Sequence, residues 1–297
     1  MATFTREGLY AAAENYLDAL VAHDVARLKL APGVVFTENN VQIRLGDGQW
    51  NTVTARRDSY DLKCADLTTG QVSWIGVIEE RGHPAIMMMR LAVTPDGALS
   101  EIETIICREH EYGPFPNFEG YDKPRPLLLA DVPEGERSSR EELIRIANGY
   151  FETIELNDGT LHTQFTDDCN RIENGLQTTN TEIEGYPIAR MGTADQFRLG
   201  QYIYDDRLRD RRYPLVDEEK GIVCAAGFID HAGKVIDVTW TDGSVHKSIF
   251  HFPHSFVLLE LFKIVGGKIA EVEAVFVTVP YNMVSPWVKP QPYVIEG

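Results

Sequence analysis

The sequence is poor in positively charged side chains. Its 297 residues include 28 lysines and arginines against 45 aspartates and glutamates, which gives a formal net charge of −17. Phosphate backbones and anionic lipids are held by clustered lysine and arginine side chains. The composition therefore argues against nucleic-acid partners and against binding to an anionic membrane surface.

Long apolar runs are also absent. No stretch approaches the roughly 18 apolar residues that a membrane-spanning helix needs. Residues 1–20 carry charges at Arg6, Glu7, Glu14 and Asp18, where a signal peptide would be apolar. We therefore expect a cytoplasmic protein with no membrane partner.

Cysteine is scarce, and the common cofactor signatures are missing. The four cysteines are scattered without a C-x-x-C pair, which favours buried reduced thiols over a disulfide framework or a zinc site. The sequence has no G-x-G-x-x-G, P-loop, G-x-S-x-G or H-E-x-x-H signature. We therefore expect no nucleotide or nicotinamide cofactor and no metal.

The sequence does contain a weak internal repeat. Residues 14–28 and 148–161 both show the apolar spacing of a helix. Residues 70–82 match residues 221–233 without a gap, and residues 97–106 match residues 267–276 in the same way. Both matches are typical of strands that begin or end at a glycine turn. The Gly266–Gly267 pair between two β-rich runs predicts a hairpin.

The repeat predicts two domains of similar size. We expect a first domain at residues 1–112, a linker at 113–139, and a second domain at 140–297 with insertions and a C-terminal strap. The linker is rich in proline, glycine and charge, but Phe115, Phe118 and Tyr121 indicate that it packs onto the domains.

Short motifs recur at equivalent places in the two halves. The first half has a T-E-N strand, Phe36 to Asn39, and the second has C-N-R-I-E-N-G, residues 169–175, followed by R-R-Y, residues 211–213. With a helix before each strand, this order resembles the nuclear-transport-factor-like cone of ketosteroid isomerase, scytalone dehydratase and polyketide cyclases, in a tandem two-cone form known from fungi and bacteria. The resemblance implies an α+β fold class: two tandem cone-shaped α+β barrels, each a curved antiparallel sheet packed on N-terminal helices.

The second half holds the main catalytic candidates. Alternation along a strand places Arg171 and Glu173 on one face, and Ile172 and Asn174 on the other. If the first face lines a pocket, Glu173 can accept a proton while Arg171 stabilises an anion. The alternative is a structural ion pair at a sheet edge. Glu38 is the corresponding acid of the first half.

Histidines supply the second set of candidates. His246, His251 and His254 lie in an insertion of the second half, but their spacing, H-x4-H-x2-H, is interrupted by Pro253 and matches no metal site known to us. We predict that His251, between Phe250 and Phe252, is an acid–base group and that His254 contacts substrate.

Further substrate contacts are predicted from position in the repeat. Arg212 and Tyr213 follow a charged run that also reads as a solvated helix face. Tyr60 and Lys63 occupy the comparable region of the first half, and Asn174 and Glu38 adjoin the candidate strands.

Together these features predict a cofactor-independent lyase or dehydratase. The substrate would be an apolar hydroxylated or aromatic small molecule. The resemblance extends to a bacterial diarylpropane lyase, which implies lignin-derived aromatics. The alternatives are an isomerase or cyclase, a non-catalytic binding protein of the same fold, and an association module, since such cones often pair into homo-oligomers through their sheets.

Overall fold

Each half of the chain begins with an amphipathic helix whose first turn is capped by a hydroxyl side chain. The computed structural model describes residues 4–109 and 116–289. Thr5 accepts a hydrogen bond from the backbone N–H of Gly8, and Ser139 accepts one from that of Glu142, as N-cap residues do. Both main helices start earlier and end sooner than the sequence predicts. The α-helices are α1 (Arg6–Val21), α2 (Pro126–Leu129), α3 (Arg140–Leu156) and α4 (Thr193–Arg198).

The first half forms one open, curved sheet. Its strands are β1 (Leu30–Glu38), β2 (Val41–Gln42), β3 (Val53–Arg56), β4 (Leu62–Asp66), β5 (Gln71–Glu80), β6 (His83–Val93) and β7 (Leu99–Arg108). They lie in the order β2-β1-β7-β6-β5-β3, and β4 also pairs with β5.

The second half forms a comparable sheet with an added hairpin. Its strands are β8 (Phe165–Glu173), β9 (Leu176–Gln177), β10 (Arg207–Asp217), β11 (Ile222–His231), β12 (Asp237–Thr239), β13 (Val245–Lys247), β14 (His254–Val265) and β15 (Lys268–Val279). The order is β10-β11-β14-β15-β8-β9, while β12 and β13 pair only with each other.

The class is therefore mixed α+β, and two details of the predicted sheets are corrected. In the described ranges neither sheet closes into a barrel. Each sheet also contains one parallel pair, because β1 runs parallel to β7 and β8 parallel to β15. Most of a domain separates the paired strands along the chain, which leaves ample length for the crossover that parallel pairing requires.

The matching sequence segments occupy equivalent strands. Residues 70–82 contain β5 and residues 221–233 contain β11, while residues 97–106 and 267–276 lie in and around β7 and β15. Phe36 pairs with Ile102 in the first sheet as Arg171 pairs with Val272 in the second. The Gly-Gly pair forms the turn between β14 and β15, with φ of 57° and 75°.

The repeated asparagine in the E-N dipeptide extends the sheet with its side chain. Asn39 Nδ2 donates to the Ile106 carbonyl at 3.2 Å, and the Ile106 N–H donates to Asn39 Oδ1 at 2.7 Å. Asn174 makes the same pair of bonds with the backbone of Phe276, both at 3.0 Å. Both asparagines have positive φ, 47° in each case. The side-chain amide thus takes the place of a peptide group where the strand turns away.

Replacing Asn39 by alanine is expected to lower the free energy of unfolding by about 2 kcal/mol, because it leaves the Ile106 N–H and C=O without partners. Urea denaturation measures this loss. Glycine adopts a positive φ without strain. The stability of Asn39→Gly therefore reports the loss of the hydrogen bonds alone, and its difference from Asn39→Ala reports the backbone strain. Full recovery of stability in the glycine variant would contradict the role given to the amide.

The two sheets pack against each other through their outer faces. Alternate residues of both sheets form one shared core, for example Ile75, Met88 and Ile105 from the first and Leu259, Leu261 and Val275 from the second. Two further cores lie on the opposite faces, under α1 and α3. The order of layers is therefore helix, sheet, sheet, helix, and one face of each sheet is covered by the other sheet within the chain.

Two aspartates join the halves through reciprocal bonds. Asp217 accepts from the N–H of Ala65 and pairs with Arg6, while Asp66 accepts from the N–H of Val216 and pairs with Arg140. Both aspartates are fully buried. Such an exchange of equivalent contacts is the pattern of an isologous, two-fold interface.

The linker and the strap also pack onto the halves. Tyr121, Leu128 and Val132 of the linker are buried, which agrees with packing, whereas Phe115 lies outside the described residues. The described part of the strap brings the Trp287 ring to 5.0 Å from the guanidinium of Arg90. Among the described helices, none has the length and apolar composition for crossing a membrane.

Candidate functional site

A partly enclosed cavity of about 360 Å³ lies in the second half. Its walls come from α3, the inner face of the second sheet, and the segments around residues 183–186 and 202–205. Most of the lining is aromatic or aliphatic, including Tyr150, Tyr186, Tyr202, Tyr204, Phe256 and Phe276. The size and apolar lining suit a small organic ligand.

The equivalent position in the first half is filled by larger side chains. Four cross-strand neighbours form one row on the inner face of each sheet. In the first half the row is Trp74, Met89, Thr104 and Glu38, and in the second it is Ala225, Glu260, Ala274 and Glu173. A tryptophan and a methionine thus pack the first interior, whereas in the second Ala274, Glu260 and Glu173 line the cavity, and Ala225 stands where the first half has Trp74.

Arg171 is buried at one side of the cavity. Its Nη2 donates to Gln196 Oε1 at 2.6 Å and its Nε to Thr178 Oγ1 at 3.2 Å, while Nε lies 3.5 Å from Glu173 Oε1. Its guanidinium also lies 5.4 Å from the centre of the Tyr202 ring. Within the described chain Nη1 makes no hydrogen bond, which leaves one donor group for a ligand.

Two carboxyl groups face the cavity in different electrostatic environments. Glu173 has a cation beside it, whereas among the described residues no cation lies within ion-pair distance of Glu260. Burial, and to a lesser degree the Glu173 carboxylate, raises the pKa of Glu260 to about 8, although Arg171 acts in the opposite direction. The surroundings of Glu260 therefore favour its protonated form, whereas Glu173 lies beside the guanidinium of Arg171.

A histidine–aspartate pair lines another part of the cavity. His231 Nδ1 lies 3.0 Å from Asp205 Oδ1 and 3.4 Å from the Tyr204 carbonyl oxygen. Both side chains are almost fully buried. Burial raises the pKa of Asp205, although His231 opposes this effect. His231 Nε2 is buried and has no hydrogen-bond partner among the described atoms.

The histidines chosen from the sequence lie elsewhere. His251 is exposed and precedes β14, so the predicted strand position is wrong; its neighbour Phe250 lines the cavity instead. His254 is buried outside the lining, with its ring 4.6 Å from that of His231. Burial lowers the pKa of His254. The described residues contain no cluster of three side chains suited to holding a metal.

Arg212, Tyr213 and Asn174 are likewise outside the cavity. The charged run is strand β10 and not a helix, because a bulge at Asp210, with φ of 54°, lets a strand accommodate it. Arg212 pairs with Glu103 of the first half at 2.5 Å, and Tyr213 donates to Asn148 at 2.7 Å. The Asn174 amide is bonded to Phe276, as described above.

The first-half candidates also make contacts within the protein. Tyr60 is buried between the sheets and donates to Glu273 at 2.6 Å; burial raises the pKa of Glu273 to about 7. Lys63 pairs with Glu14 and Asp61. Glu38 lies 3.1 Å from Arg108 at a shallow polar surface pocket of the first half.

Sequence reasoning missed Glu260, Asp205 and His231. Glu260 had a visible signal, since it is a carboxylate inside the apolar run F-V-L-L-E-L-F, where only a paired or functional acid is expected. The sequence signal for His231 was weaker. It consists only of a histidine at the position that Glu80 occupies in the gap-free match between β5 and β11. Asp205 lies in an irregular segment with no periodic pattern.

One comparison with known proteins matches the half that contains the cavity. A family model described as a domain of unknown function (DUF8021) matches residues 136–276. No curated protein matches the chain. Among solved structures the chain is similar to AclR, a suggested hydroxylase from Streptomyces galilaeus, with 14% identity and a TM-score of 0.25 over 44% of this chain and 92% of AclR. The range matched by the family model includes every residue that lines the cavity.

Proposed function

We propose that this cavity is the active site of a cofactor-independent lyase or dehydratase that acts on an apolar hydroxylated or aromatic small molecule. The observation that carries the proposal is the pair of carboxyl groups, Glu173 and Glu260, which face one cavity in different surroundings: Glu173 lies beside the Arg171 guanidinium, and Glu260 has no cation beside it among the described residues. A buried carboxyl group with a raised pKa is suited to donate a proton, and a carboxyl group held beside a guanidinium is suited to accept one.

The sheet register brings the two groups together. Glu173 and Glu260 lie in one row with Ala274 between them, so their Cα atoms are about 10 Å apart at the usual strand spacing. Because alanine projects little, both carboxyl groups can reach a molecule that lies over Ala274.

The proposed step is an elimination. Glu173 accepts a proton from a carbon atom of the substrate, and the electron pair of that C–H bond forms the new double bond. The bond from the neighbouring carbon to a hydroxyl oxygen breaks, and Glu260 donates its proton to that oxygen, releasing water. Arg171 Nη1 stabilises negative charge that develops during the step. Return of the proton from Glu173 to Glu260 through water restores the starting state.

We further propose that each half is a cone of the type found in ketosteroid isomerase and scytalone dehydratase. The capped helix, the strand that ends in an E-N turn, and the curved sheet over an interior space support this proposal. The second half would hold the active site, and the first half would serve as its packed counterpart.

The test is turnover of a panel of neutral β-hydroxy ketones and hydroxylated aromatics, with loss of water followed by mass spectrometry. Glu173→Gln is expected to lower kcat by about 10²–10⁴-fold, and Arg171→Met by about 10²–10³-fold. The exposed pair Glu182 and Arg190, 3.2 Å apart in the same half, provides the matched controls Glu182→Gln and Arg190→Met. Unchanged turnover in both cavity variants would overturn the assignment.

A further inference from the structure

The cavity has two polar regions, and apolar residues lie between them. His231 is paired with His254 in the register of β11 and β14, whereas Glu260 is paired with Ala225. Six residues along β14 correspond to roughly 20 Å of backbone. Phe256 and Leu258 lie between these positions and line the cavity. We call Arg171, Glu173 and Glu260 the inner pole, and Asp205 and His231 the outer pole.

The outer pole has a fixed orientation. The Tyr204 carbonyl can only accept a hydrogen bond, and Asp205 lies on the same side of the ring, so Nδ1 is the donor nitrogen and Nε2 is the nitrogen left to accept. Phe250 and Phe256 pack on the ring, with centroids at 4.3 and 4.8 Å. Nε2 is therefore an acceptor held in place.

This acceptor is unsatisfied in the protein alone. A buried polar atom without a partner costs about 1–3 kcal/mol, and His231 Nε2 has no partner among the described atoms. His231 lines the cavity, so a ligand whose donor reaches the buried Nε2 atom would remove this cost. A hydroxyl group is the natural donor.

The scarcity of positive charge around the cavity disfavours an anionic ligand. Four acidic residues line it, Glu173, Glu184, Asp205 and Glu260, against the single guanidinium of Arg171 among the described lining residues. That guanidinium already has Glu173 beside it. A carboxylate or phosphate would enter a low-dielectric space without a free countercharge.

We propose that the substrate is an uncharged, elongated molecule with an oxygen function at each end of an apolar body, and that its far hydroxyl donates to His231 Nε2. This inference rests on the proposed function, because the reacting end faces the inner pole. The Asp205–His231 pair then selects the substrate by length and by the far hydroxyl, and the chemistry takes place at the other end.

The test uses binding, so that it does not depend on turnover. The probes are biphenyl-4,4′-diol and its monomethyl ether, which is equally apolar but lacks one donor, measured with the full chain by calorimetry. We expect the diol to bind about tenfold more tightly, the equivalent of one buried hydrogen bond. His231→Phe is expected to remove this preference, and His251→Phe, at an exposed neighbouring site, to retain it.

Equal affinity for the two probes in the unaltered protein, no binding of either, or a preference that survives in His231→Phe would each overturn the inference. The comparison of probes in the unaltered protein needs no variant, so misfolding cannot obscure it. If the preference appears while Glu173 and Arg171 variants leave turnover unchanged, the proposed function fails and the two-pole ligand site stands.

Discussion

Replacing Glu260 by glutamine is expected to lower kcat by about 10²–10⁴-fold, the usual contribution of a positioned acid. Glutamine has nearly the same shape and fits between Ala225 and Ala274, but it has no proton to give to a leaving group. Steady-state kinetics on a substrate found in the panel measures the effect. Glu184→Gln, at an exposed lining position, is the control and is expected to retain its rate.

The same variant is expected to change how stability depends on pH. The pKa of Glu260 is raised from 4.5 to about 8 in the folded protein, so the folded state holds a proton that the unfolded state has lost. The stability from this proton is fully present below pH 4.5 and is lost as pH rises through about 8.

Urea denaturation between pH 5 and pH 9 should therefore show a smaller fall in stability for Glu260→Gln than for the parent protein. The stability of Glu260→Gln should still fall somewhat as pH rises, because burial raises the pKa values of Glu271 and Glu273 to about 7. These two groups therefore also lose their stabilising protons in this pH range. Identical pH profiles, together with an unchanged kcat, would refute the neutral-acid role.

Replacing Asp217 by alanine is expected to lower the free energy of unfolding by about 3–5 kcal/mol, the range for breaking a buried ion pair. The change removes the acceptor of the Ala65 and Lys220 N–H groups and the partner of Arg6. Asp66→Ala should have a similar effect, because Asp66 has the reciprocal contacts. Urea denaturation of the full chain measures both.

The surface variant Asp237→Ala is the matched control, since its pair with Lys247 is exposed and such pairs contribute at most about 1 kcal/mol. The double variant of Asp66 and Asp217 should lose less than the two single losses together, because the two residues share one interface. Losses no larger than that of Asp237→Ala would show that the sheets are held together without this exchange.

Local patterns in the sequence predicted those features that depend on neighbouring residues. Alternation placed Arg171 and Glu173 on one face of β8, and both line the cavity. The Gly266–Gly267 pair predicted the β14–β15 turn, and the amide bonds of Asn39 and Asn174 explain why the E-N dipeptide recurs in both halves.

Features that depend on how the two halves meet were not predictable from one sequence. Tyr60 and Arg212 carry the polar atoms expected of substrate contacts, but each lies at the interface between the sheets, bonded to Glu273 and Glu103. Periodicity identifies the two faces of a strand without stating which face meets the other half. The strand position predicted for His251 was wrong because the short stretch before β14 is irregular, and the alternation of a strand does not apply there.

The back-to-back packing of the sheets has a consequence for how substitutions are shared. In a dimer of identical subunits every substitution occurs twice, so a residue that opens one interior opens the other as well. Here the two interiors belong to one polypeptide and vary independently: Trp74 and Met89 fill one, while Ala274 and Glu260 line the other. In the part of the chain that the structure describes, the geometry of a symmetric pair is thus combined with an open cavity on the inner face of the second sheet and a filled interior on the inner face of the first.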